Sequence, residues 1–202
     1  MRYHHSFPEL EIEGRVSAAA IARKMEYINL PEDLTGKTVL DIGAWDGYYS
    51  FECEKRGAKV TALEKKRRDG TLVQLKKALR SKIEILYMDA YDIPSLNRQW
   101  DLVLCMGVIY HVQDPFKLIN IVYECTKEKC IIESALRNVP GEPLMFFYKV
   151  PNNEYPTSWW LPNAPAITGM MESAGFITTH EIDSPTEKTR GVFWGEKYGD
   201  SR

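Results

Sequence analysis

The sequence predicts an α/β fold: a seven-stranded, mainly parallel sheet with an antiparallel edge strand and helices on both faces. Three observations predict it. Apolar runs alternate with helix-like segments between Lys37 and Glu133, the pattern of a parallel sheet with crossover helices. The run Thr38–Ile42 ends in a glycine turn that opens a helix, as the first unit of a nucleotide-binding α/β sheet does. Two strand-like runs, Phe176–Ile182 and Val192–Glu196, close the chain with no helix between them, which makes that edge antiparallel.

Each element has a local reason. Residues 1–36 read as an N-terminal extension of one 202-residue domain. Within it Ser17–Tyr27 is helical, with Ala18, Ile21, Ala22, Met25 and Ile28 as the apolar stripe. Leu30–Gly36 turns into strand one, Lys37–Ile42. Tyr48–Arg56 is the first crossover helix, closed by Gly57. Lys59–Glu64 is strand two, Leu72–Leu79 a helix and Ile83–Met88 strand three. Asp101–Met106, strand four, is apolar enough to be buried on both faces. Asp114 as N-cap and Pro115 at the first turn start the next helix. Lys129–Glu133 is strand five, and Asn163–Ala174 is a helix closed by Gly175.

Residues 137–162 break this rhythm. They hold Pro140, Pro143, Pro151, Pro156 and Pro162 with Phe146, Phe147, Tyr148, Tyr155, Trp159 and Trp160. So long a connection is functional or disordered, and its aromatic content opposes disorder. It reads as a cap insertion over a substrate pocket, or as a packing flap over a sheet end.

The composition, 44% hydrophobic and 27% charged, is that of a soluble globular protein. A net charge of −2 gives no global field for nucleic acid. Lys65–Arg68, continued by Lys76, Lys77, Arg80 and Lys82, is a solvated helix face with its entry loop or, alternatively, a phosphate contact. Cys53, Cys105, Cys125 and Cys130 contain no Cys-x-x-Cys pair, which suits reduced thiols in a cytoplasmic protein without a zinc site. Neither a signal peptide nor a membrane-spanning run is expected.

The chemistry gathers at the carboxyl ends of the strands. A dinucleotide fingerprint needs glycines at its third and sixth positions, and counting from Gly43 these are Trp45 and Tyr48. Asp41 would repel a phosphate and attract a cation. The Gly43–Gly47 loop therefore suits a nucleoside with an ammonium group and no phosphates, which describes S-adenosylmethionine (SAM), rather than a nicotinamide cofactor. Asp41 is a candidate for the methionine ammonium, or else a turn cap, and Gly43 admits close backbone approach. Glu64, about twenty residues past the loop, is a candidate for the ribose hydroxyls, or else a surface acid. Asp89 and the Ala90 N–H are candidates for adenine, Asp89 being alternatively a turn acid. Strand four ends in Met106-Gly107-Val108-Ile109-Tyr110-His111, where methyl transfer would occur. His111 can take a proton from an acceptor hydroxyl, or it is a histidine satisfied by loop backbone; Tyr110 would orient donor or substrate. Tyr148, Trp159, Trp160 and His4 are candidate substrate contacts.

At these residues the chain resembles class I SAM-dependent methyltransferases, and more narrowly the tRNA 5-hydroxyuridine (wobble uridine) methyltransferase-like group. The resemblance rests on Tyr3-His4, Leu30–Lys37, Val39–Gly47, Met106–His111, Asp114-Pro115, Ser158–Asn163 and Ala174–Phe176. It implies a Rossmann-like sheet, SAM as donor and an oxygen acceptor. The best-known tRNA enzyme of the group uses a carboxylated SAM, and Tyr110 matches a tyrosine that contacts that extra carboxylate. The sequence does not place the lysine and arginine that accompany it. The expected function is O-methylation of a small hydroxylated metabolite or sugar. The alternatives are 5-hydroxyuridine at the tRNA wobble position and a SAM-binding module without catalysis.

Overall fold

The computed structural model describes residues 3–67, 70–148, 157–184 and 187–197, with the side chains of residues 181–189 outside that description. Arg68 of the basic run and Pro151, Tyr155 and Pro156 of the aromatic segment also lie outside it.

Seven strands form one sheet in the order β3-β2-β1-β4-β5-β9-β8. They are β1 Thr38–Ile42, β2 Lys59–Glu64, β3 Glu84–Tyr87, β4 Trp100–Met106, β5 Thr126–Ala135, β8 Ile177–Ser184 and β9 Glu187–Glu196. The first five run parallel. The expected antiparallel edge is the β8–β9 hairpin, in which β9 lies between β5 and the outermost β8. A second, two-stranded ribbon of β6 Met145–Phe147 and β7 Trp160–Pro162 arises inside the aromatic insertion. Three-residue strands carry too little periodicity to be read from sequence.

Period-two alternation sorts the strands' side chains onto two faces. On one face Val39, Val60, Ala62, Leu104 and Ile131 pack with Ile28, Phe51 and Leu75. These come from α1 Ala18–Ile28, α2 Tyr48–Lys55 and α3 Thr71–Ala78. On the other face Leu40, Ile42, Val103, Cys105, Ile132 and Phe193 meet Leu118, Val122, Ile167 and Met171. Those belong to α4 Pro115–Cys125 and α5 Ala164–Ala174. The four cysteines are buried and free.

The local signals act as read. Asp114 caps α4 by accepting from the Lys117 N–H at 2.9 Å, and Gly175 closes α5 in the left-handed region at φ 111°. The N-terminal segment is packed as part of the fold. Phe7 is buried among Tyr48, Phe51 and their neighbours, and the Trp194 indole donates to the Ile28 carbonyl at 3.0 Å, tying α1 to β9.

Sheet order reverses between β1 and β4, where such folds open a crevice. The insertion is seated beside it through Asn163, the buried N-cap of α5. The Asn163 Oδ1 accepts from the Leu144 and Ala166 N–H groups at 2.9 and 3.1 Å. Its Nδ2 donates to the Val139 and Glu142 carbonyls at 3.0 and 2.8 Å. Removing a buried polar hub leaves its partners unsatisfied. Asn163→Ala should therefore lower unfolding free energy by about 2 kcal/mol in urea titration. A variant with wild-type stability would contradict the anchoring role.

Candidate active site

The loop after β1 is shaped by β2. The Gly43 and Ala44 amides both donate to the Leu63 carbonyl, at 2.8 and 3.0 Å. The Trp45 N–H donates to the Glu64 Oε2 at 2.9 Å, and the Gly47 N–H turns back to the Ala44 carbonyl at 2.7 Å. Four amides of Gly43–Gly47 are thus turned inward. Two glycines are required here. Gly43 has φ 73°, and a Cβ on it would stand 2.6 Å from the Val108 Cγ2 of the β4 loop; Gly47 has φ 85°, and its Cβ would meet the Leu72 Cδ1 at 2.4 Å. Trp45, at φ 55°, is half-exposed at the loop's tip.

Carboxylates surround this loop. Asp41 is buried at the end of β1, with the Ser50 hydroxyl on its Oδ2 at 2.6 Å. Burial raises its pKa to about 6, the Ser50 bond opposing, with the Glu64 and Asp46 charges adding to the rise. Glu64 is only 4% exposed, so it is not a surface acid. Asp89 does serve the turn: its Oδ1 accepts from the Tyr91 N–H at 3.0 Å, capping the 3-10 helix Ala90–Leu96. Its Oδ2 lies 2.8 Å from the Lys65 ammonium, whose hydrogen bond is the main cause of a lowered carboxyl pKa. Ala90 follows at the same strand end, half-buried. Lys65, Lys66 and Arg67 are exposed.

Met106 is half-buried at the tip of β4, paired with Glu133 of β5. Beyond it Ile109–His111 form a 3-10 turn. His111 is exposed, with its Nδ1 2.9 Å from the Thr157 carbonyl. A carbonyl can only accept, so Nδ1 carries a proton. The aromatic insertion rests on the same turn. The Trp159 N–H donates to the Tyr110 carbonyl at 2.9 Å, and the Trp160 indole donates to the Gln113 carbonyl at 2.9 Å. Tyr148 is bonded through its N–H to the Trp159 carbonyl at 2.8 Å.

Two clusters escaped sequence reading. In the first, Glu133 is buried at the carboxyl end of β5 and accepts both the Arg190 Nε–H and, at 2.7 Å, the Arg190 Nη2–H. The same Nη2 donates to the Tyr110 hydroxyl at 3.1 Å, and the Lys24 ammonium of α1 stands 3.2 Å from the Glu133 Oε1. Burial would raise the Glu133 carboxyl, but the Arg190 bonds outweigh it and bring its pKa to about 2. An arginine thus lies beside Tyr110 and a lysine on the same Glu133, although no local pattern announced either. In the second cluster Asp46 of the loop, fully buried, binds His4 and His5 of the N-terminal segment. The sequence brings His4 to the crevice only as a candidate; here its ring lies 5.3 Å from that of Trp45. Burial, followed by the His5 charge, lowers the His4 pKa to about 4, so its ring is neutral at pH 7.

The methyltransferase domain family matches residues 14–181. The chain belongs to this family. Among similar proteins, the tRNA U34 carboxymethyltransferase of Methylococcus capsulatus is 28% identical over 188 residues, covering 85% of this chain and 55% of the relative. The same-named protein of Desulfotalea psychrophila is 27% identical over 171 residues, covering 81% of this chain and 53% of the relative. The chain thus spans about half the length of the curated relatives it matches. The N-terminal domain of EvdMO1, solved with S-adenosylhomocysteine (SAH) bound, superposes with a TM-score of 0.69 at 17% identity, covering 97% of this chain and 92% of that one. The two chains share a fold. Among the described residues no helix is long and apolar enough to cross a membrane.

Breaking a buried ion pair from one side leaves a stranded charge and costs about 3–5 kcal/mol. Glu133→Gln should lose that much stability at pH 7. A carboxyl with a depressed folded pKa stabilises above its ordinary value of 4.5 and loses that contribution as pH falls towards 2. The gap between variant and parent should therefore close between those pH values. A gap that is absent at pH 7, or constant down to pH 2, would contradict this.

Proposed function

We propose that the chain is a SAM-dependent methyltransferase acting on oxygen, with a hydroxyl of a small metabolite or sugar as acceptor. One observation carries the reading. The amides of Gly43, Ala44, Trp45 and Gly47 are engaged within the protein, while Asp41 and Glu64 stand beside the loop. Such a crevice offers little to a pyrophosphate, which needs outward amides, and favours an ammonium-bearing nucleoside. Asp41 would serve the ammonium directly or through water, Glu64 the ribose, and Asp89 with the Ala90 N–H the adenine. Gly43, Trp45, Gly47 and Met106 complete the donor's surroundings.

When bound, SAM supplies a methyl group activated on a sulfonium sulfur. The protein's part is alignment and proton removal. His111, held through Nδ1 by the Thr157 carbonyl, takes the acceptor's hydroxyl proton on Nε2. Tyr110, fixed by Arg190, orients the reactants. Tyr148, Trp159, Trp160 and His4 border the acceptor as a cap.

A second reading is favoured by Arg190, which holds Tyr110, and Lys24, which meets the same Glu133. Two cations face one carboxylate there, which suits a donor carrying an extra carboxylate. With the relatives' name, it points to carboxymethyl transfer to the wobble uridine of tRNA. Retention of tRNA that falls steeply with salt, together with a carboxymethylated product, would favour it. A methylated small molecule and no RNA retention would favour the first reading. SAH formation with either acceptor would exclude a non-catalytic module.

In calorimetry SAH should bind, and Glu64→Ala should weaken it at least tenfold; unchanged affinity would remove the ribose assignment. His111→Ala should reduce turnover by about a hundredfold or more while sparing SAH affinity, and full activity would exclude the base. An ammonium favours ionised Asp41, so SAH affinity should rise about tenfold from pH 5 to pH 7, through the folded pKa of about 6. Asp41→Asn should flatten that dependence, and an unaltered slope would contradict the assignment.

A further inference from the structure

We propose that residues 3–16 are a gate on the donor crevice, latched by Asp46 and His5 as positioning residues. The inference rests on the donor reading above and adds a conformational step to it. Asp46 sits on the cofactor loop between Trp45 and Gly47, and its carboxylate is fully buried. It spends that carboxylate on the N-terminal segment. Oδ2 accepts the His5 and His4 amides at 2.8 and 3.2 Å. Oδ1 lies 2.7 Å from the His5 Nδ1. Burial alone would raise the Asp46 carboxyl, but the His5 contacts outweigh it, so it stays ionised at neutral pH.

The latched segment is internally stiff. The Ser6 hydroxyl donates to the Val16 carbonyl at 2.9 Å and accepts the Gly14 N–H at 3.0 Å. A Cβ on Gly14 would lie 2.2 Å from the His5 carbonyl carbon, so the two limbs touch backbone to backbone. The segment runs into α1, whose Lys24 reaches Glu133 at the tip of β5. Its two ends are therefore pinned on opposite sides of the β1–β4 switch point, at the β1 loop and at β5. His4, at the first of these ends, lies against Trp45, whose amide is held by Glu64. The segment thus lies against the cofactor loop at Trp45 and Asp46, and a nucleoside held by that loop would have it as one wall. Its entry and exit require the wall to move, which opens the Asp46 contacts and lifts Phe7 away from Tyr48 and Phe51.

Hydrogen exchange and stopped-flow SAH binding test this, with Asp46→Asn and His5→Gln compared with the parent. Exchange in residues 3–16 should accelerate at least tenfold in both variants without any donor present, while α4 and α5 keep their protection. Loss of protection throughout would mark misfolding of that variant, and the milder His5→Gln then decides. A gate slows entry as well as exit, so both SAH association and dissociation should speed up, each at least threefold. A residue that only shapes the loop would raise dissociation and leave association unchanged, which would overturn the proposal. Unchanged exchange in residues 3–16 would overturn it too. If the parent binds no SAH, the donor reading fails, and the exchange result alone still decides the latch.

Discussion

The structure depends on how the tip of β2 holds the loop that leaves β1. The Leu63 carbonyl takes two loop amides, and the Glu64 carboxylate takes a third. These bonds bend the chain through left-handed conformations at Gly43, Trp45 and Gly47 and start α2. They also decide what the crevice cannot do. A loop that turns its amides towards its own sheet has few left for phosphate oxygens, and bulky Trp45 stands where a dinucleotide fold needs glycine. The same geometry collects Asp41, Asp46 and Glu64 in a small volume, where burial and mutual repulsion raise Asp41. A cationic ligand relieves that repulsion.

The crevice is electrostatically divided. Carboxylates crowd the β1–β2 side. On the β4–β5 side, Arg190 and Lys24 converge on Glu133 and Tyr110. A donor with an ammonium at one place and a reacting centre at another meets different fields along its length. The division also ties distant parts of the chain together, since α1, β5 and β9 each contribute to one buried cluster.

What was legible in the sequence was local. The parallel strands announce themselves as apolar runs, and Asp114, Pro115, Gly57 and Gly175 mark helix ends by their own chemistry. The strand-end acids could be ranked because topology brings strand ends together. What was not legible is long-range pairing. Arg190 lies in β9, a strand whose first half reads as polar loop, and it meets Glu133 only after the hairpin folds back. Lys24 is one charge on a mixed helix face until α1 docks. Asp46 passes for a loop residue beside a glycine, and only the packing of residues 3–16 shows that its carboxylate is spent on His4 and His5. The β6–β7 ribbon is too short to carry a period.

The most direct measurement is a pair of crystal structures, one from crystals soaked in SAH and one from crystals soaked in NAD. A crevice built for a phosphate-free nucleoside should show SAH with its ribose hydroxyls on Glu64 and its amino group towards Asp41, and no NAD. An NAD pyrophosphate lying along Gly43–Gly47, with no SAH in the companion crystal, would contradict the account.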